Sequence, residues 1–137
     1  MGIKLSLLFA AVAACIVAAV PAYAHHAFAA EFDANKPLLL KGTVTKMEWI
    51  NPHAWIHIDV KDADGKVTSW MVEAGAPNGL LRRGFTKNSL LPGTEIVVEG
   101  WQAKDGSYRA NGSNITFPDG KKLFVGSSNT GAPNEKQ

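Results

Sequence analysis

The chain has one cysteine, Cys15, and it lies inside an apolar run that reads as a segment to be removed. An exported chain left without cysteine has no disulfide and no thiolate metal site, so its stability must come from sheet packing and aromatic burial. Charge of either sign is also scarce. Fourteen Lys and Arg stand against 12 Asp and Glu, a formal net charge of +2, which is too balanced to point to nucleic acid or an anionic membrane surface as partner. There is no glycine-rich phosphate loop and no serine in a nucleophile elbow. Glu73, Glu95 and Glu99 are scattered along strand-like segments without an acid–base pairing that sequence reveals. No catalytic residue is assigned, and the chain reads as a binding protein rather than an enzyme.

What is present begins at the N-terminus. Lys4 gives a positive start, Leu5 to Val20 is apolar, and Pro21-Ala22-Tyr23-Ala24 ends in the small-x-small pattern of a signal-peptidase site. Residues 1–24 are therefore expected to be a signal peptide. Pro21 and the small residues argue against an uncleaved span, although the run approaches the ~20 apolar residues a span needs. Val12-Ala13-Ala14-Cys15 formally resembles a lipobox, but the apolar run continues through Val20 where a mature lipoprotein would turn polar. Cleavage after Ala24 leaves 113 of the 137 residues, removes only Lys4 among the charges, and makes His25 the new terminus. The expected location is periplasmic or secreted, with no stable membrane insertion once the signal is gone.

The mature chain is long enough for one domain with a modest core. Residues 25–37 lack a clear period and read as an N-terminal arm. Leu38 to Ile50 is rich in apolar and β-branched residues, with Gly42 inside it as a mark of a bulge or bend. His53 to Val60 alternates cleanly: Ala54, Ile56, Ile58 and Val60 on one face, His53, Trp55, His57 and Asp59 on the other. Asp62 to Gly65 is a turn into a third strand, Lys66–Glu73, on which Thr68, Trp70 and Val72 share a face. A short helix follows around Pro77 to Gly84, with Leu80 and Leu81 expected to plug the core and Arg82 and Arg83 near the negative end of its dipole. Strands are expected over Thr94–Trp101, Ser107–Phe117 and Lys121–Val125, and residues 126–137 read as a disordered tail. This order predicts an all-β domain over 38–125 with a small helical contribution: an OB-like Greek-key barrel of five to six strands, its one short helix between strands 3 and 4.

His25-His26-Ala27-Phe28, Glu31-Phe32-Asp33, Lys41 to Val44, Trp49-Ile50-Asn51-Pro52-His53-Ala54-Trp55, Leu80 to Gly84 and Pro92-Gly93 with Val97 to Gly100 carry a resemblance. Together they resemble a family of small exported bacterial proteins catalogued as a domain of unknown function. The resemblance covers nearly the whole mature chain and implies a periplasmic or secreted β-barrel, but no activity.

Four histidines carry the chemistry. A histidine at a mature N-terminus offers a metal both its α-amine and its imidazole, nitrogen ligands of the kind copper favours. The arm before Pro37 is long enough to fold back over a barrel, and Asn51 to His53 forms an end loop of the kind barrels use for ligands. The His25 amine, the His25 imidazole and the His53 imidazole would supply three nitrogens in a T shape, which resembles the histidine brace of copper-dependent polysaccharide monooxygenases and copper carriers. His26 offers a second route through amine, backbone amide and imidazole, and Asp33 or Glu31 an oxygen. His57 lies about 13 Å along the strand from His53 and is the weaker candidate.

Tryptophans are expected chiefly as core filling. Trp55 is the exception, since it shares its face with histidines and Asp59. Two classes of function follow, with copper as the expected cofactor of the first: a copper-binding domain using His25, His26 and His53, or a metal-free module holding a small molecule, glycan or envelope protein with Trp55, Asn51 and Asp59. A copper monooxygenase is a third reading, but 113 residues barely supply its flat substrate platform.

Overall fold

The computed structural model describes residues 27–127 and 130–133. It is mostly β, with six strands and two short helices: α1 (Ala27–Glu31), β1 (Phe32–Glu48), β2 (Trp55–Lys61), β3 (Val67–Glu73), α2 (Pro77–Arg82), β4 (Glu95–Ala103), β5 (Arg109–Thr116) and β6 (Lys122–Phe124). The signal segment and both N-terminal histidines lie outside the described residues. Among the described residues, no helix is long and apolar enough to cross a membrane.

The strands form one sheet in the order β3-β2-β1-β4-β5-β6, and β3 also pairs with β5. Every pairing is antiparallel except that last one, where Met71, Val72 and Glu73 run parallel to Arg109, Ala110 and Asn111. The alternation read from β2 carries through to packing: Ile56 and Ile58 are fully buried, and across the ladder they face Val72 and Trp70. They join Val44, Leu80, Phe85, Ile96, Val98 and Ile115 in the main core. Gly42 is a point of close approach, because a Cβ there would meet the Asp59 carbonyl oxygen at 2.8 Å. The irregularity in the β1–β2 ladder falls just beyond it, between Val44 and Lys46.

Two departures from expectation concern short segments. Leu80 is buried, but Leu81 is 48% exposed; a six-residue helix docks through one face, and adjacent residues do not share it. The arm is also more ordered than an aperiodic stretch suggests. Ala27–Glu31 is helical and β1 already begins at Phe32. Phe28 and Phe32, four residues apart, pack on Trp101 and Ala103 to make a second, smaller core, with the Phe28 and Trp101 rings edge to face at 5.5 Å. Ala132 packs against the same cluster, so part of the stretch read as a tail lies against the body. A five-residue helix has no stability of its own in water. Apolar contact with Trp101 holds it in place.

Candidate functional site

The β2–β3 and β3–β5 registers set Trp55 opposite Glu73 and Glu73 beside Asn111. Trp101 pairs with Asn111 on the next strand. Directly paired residues face the same way, so this row crosses four strands on the side of the sheet away from the main core. The second core occupies its Trp101 end. Between the two, Phe28, Glu31, Phe32, His53, Glu73, Asn111 and Thr130 line a hollow of about 50 Å³.

His53 lies just ahead of β2, after a loop with a cis peptide between Asn51 and Pro52. Its position is fixed by backbone bonds on either side of Ala54: the Ala54 N–H donates to the Gly75 carbonyl at 3.1 Å, and the Ala74 N–H donates to the Ala54 carbonyl at 2.8 Å. His53 Nδ1 is 3.9 Å from Glu73 Oε1 and 3.3 Å from Ser127 Oγ. Asn111 Nδ2 donates to Glu73 Oε1 at 3.2 Å. Glu73 and Asn111 are both buried. Burial raises the Glu73 pKa above its ordinary value and Glu31 adds to the rise, while His53, Asn111 and Arg109 pull the other way. Glu31 itself is held by Arg109 at 2.7 Å, and the Arg109 guanidinium also lies 5.6 Å from the centre of the Trp55 ring.

The sequence candidates separate in space. His53 lies in the hollow, and Phe28, three residues after His25, lines it too. His25 and His26 fall outside the described residues. Trp55 flanks Glu73 and is half-buried beneath Arg109. Asn51 is exposed in the loop. Asp59 lies further along β2, where its carboxylate accepts from the Ser69 hydroxyl at 2.6 Å. His57 turns to Glu48 at 3.3 Å, away from His53. Among the described residues, no three His, Cys, Asp or Glu side chains converge as a metal site. An open groove of about 310 Å³, lined by Lys41, Glu95, Val97 and Phe117 among others, contains no histidine.

Glu73, Asn111 and Arg109 were not marked by sequence reasoning. The signal for Glu73 is faint: it is a carboxylate on the outward alternation of β3, at the strand end, in register with Trp55. Asn111 is brought to it only by the parallel ladder.

A model for a family of unknown function, DUF6152, matches residues 12–113. The chain belongs to that family. Phe28, Glu31, Phe32, His53, Glu73 and Asn111 fall within the span that DUF6152 covers, whereas Ser127 and Thr130 lie beyond it. No curated protein and no solved structure matches the chain.

Proposed function

We propose that this chain is an exported copper-binding domain whose site is built from the mature N-terminus and the hollow around His53. One observation carries the reading: Phe28 and His53 line the same hollow. Three residues of extended chain span at most about 11 Å, so an N-terminus at His25 is tethered within reach of the His53 imidazole. The His25 amine and imidazole with His53, or His26 in place of the His25 ring, then supply nitrogen ligands suited to copper. Export to the periplasm follows from the signal-like segment, and with it the exposed α-amine that the site requires.

The fold proposed for this domain is an OB-like Greek-key barrel. The cycle of pairings β1–β2, β2–β3, β3–β5, β5–β4 and β4–β1 supports closure, and α2 between β3 and β4 fits that topology.

The test is calorimetric titration of copper(II) into mature protein with a verified His25 terminus, alongside a form extended by one residue before His25. Tight binding by the first and at least tenfold weaker binding by the second is expected, with His53→Ala also weakened and His57→Ala unchanged. Equal affinities for the native and extended termini would remove the central ligand. The metal-free module, with Trp55 and the hollow as its ligand surface, would then be the better account.

A further inference from the structure

We infer that a second copy of this chain docks on the outer face of β1 and β4, in a two-fold symmetric dimer that sets Lys41 of each copy against Glu95 of the other. The surface in question is the open groove of about 310 Å³, lined by Lys41, Glu95, Val97, Thr116, Phe117 and Pro118 among others. The β1–β4 register pairs Lys41 with Val97 and Thr43 with Glu95, so Lys41 and Glu95 stand diagonally across one sheet face. Leu39, two residues before Lys41 and on the same side of the strand, is 68% exposed. Leu39, Val97, Phe117 and Pro118 thus form an apolar strip with water access, and its rim carries one exposed cation and one exposed anion.

The charges decide the occupant. Diagonal neighbours on a sheet stand only about 7–8 Å apart, within reach of long side chains, yet among the described residues neither Lys41 nor Glu95 makes an ion pair. Lys122, the cation at the far end of the Lys41-Val97-Thr116 row, is already held by Glu99 at 2.7 Å. A two-fold axis lays a patch against itself, so a patch with one unpaired charge of each sign is complementary to its own copy, and the Lys–Glu contact is made twice. A partner of one sign would satisfy only one of the two charges, and an apolar partner neither. A formal net charge of +2 also gives two copies little reason to repel each other. Val97 lies four residues along β4 from Trp101, about 13 Å of strand rise, so the dimer leaves the second core and the hollow beside it uncovered and is independent of the copper reading.

The experiment is sedimentation equilibrium of the metal-free mature chain over a wide range of concentration. The unmodified protein is expected to pass from monomer to dimer as concentration rises, with no larger species, because a two-fold contact closes on itself. Lys41→Glu and Glu95→Lys each turn two attractions into two repulsions and are expected to weaken the dimer at least tenfold. Mixed in equal amounts, the two variants regain both opposite-charge pairs, and the mixture should dimerise as the unmodified chain does. Leu39→Asn, at an exposed position, is expected to weaken the dimer with no change of charge, and it carries the test should circular dichroism show that a charge variant does not fold. A chain that stays monomeric at every concentration, or variants that dimerise as tightly as the unmodified chain, would overturn the inference. Loss of the dimer in both charge variants without recovery in their mixture would overturn it too, since Lys41 and Glu95 would then not face each other across the axis.

Discussion

At the scale of single residues, the two faces of β2 make opposite demands. Ile56 has no exposed surface, and truncating such a side chain costs about 2–5 kcal/mol through lost burial and the cavity left behind. Ile56→Ala should therefore lower the denaturation midpoint sharply, while His53→Ala on the other face should change it far less; chemical denaturation of both variants checks this. Glu73 contributes to stability with an unusual sign. Its pKa is raised by burial from an ordinary value of 4.5, so as pH climbs past that value the unfolded chain ionises first and the folded state loses ground. The loss continues until Glu73 ionises in the folded protein and is constant above that pH. In metal-free protein, Glu73→Gln should raise the melting temperature at neutral pH and leave it nearly unchanged near pH 4. Melting curves across that range read the difference directly.

At the scale of elements, α1 and the β4–β5 ladder are the informative pieces. Phe28→Ala removes an anchor of the second core without touching the main one. It should release residues 27–31, seen as faster amide exchange there, with β2 and β4 amides still protected. Gly100→Ala acts differently, because a Cβ at Gly100 would collide with the Asn111 carbonyl oxygen at the irregularity between Glu99 and Gly100. It should disrupt the β4–β5 pairing and lower the melting temperature by more than 5 °C, roughly the effect of 1 kcal/mol or more in a domain this size. The elements themselves were largely legible in the sequence: the alternation from His53 to Val60, the turn at Asp62–Gly65 and the proline-led helix all express local chemistry. The arm was not, since a single spacing of four between two phenylalanines is too short a period to read and their partner, Trp101, lies far along the chain. Of the candidate site, His53 was legible as a histidine in an end loop. Glu73 was not, because nothing near it in sequence announces Asn111 or the hollow.

At the scale of the whole molecule, the prediction is one of processing. Cells expressing the full chain should yield periplasmic protein whose first residue, by intact mass and N-terminal peptide mapping, is His25. A lipid-modified form starting at Cys15 would place the N-terminus elsewhere and undo the site. The parallel ladder between β3 and β5 has a further consequence, for the order of events as the chain folds. Glu73 and Asn111 stand 38 positions apart and meet through only three residue pairs. Contacts of long sequence separation bear a larger loop-closure entropy and form more slowly than hairpins such as β2–β3. A refolding chain should thus form the β2–β3 hairpin before the hollow exists. Closure of the hollow becomes a late clock for the fold: in pulse-labelled refolding, protection of the Met71 amide, which donates to the Tyr108 carbonyl, should lag behind protection of the β2–β3 ladder.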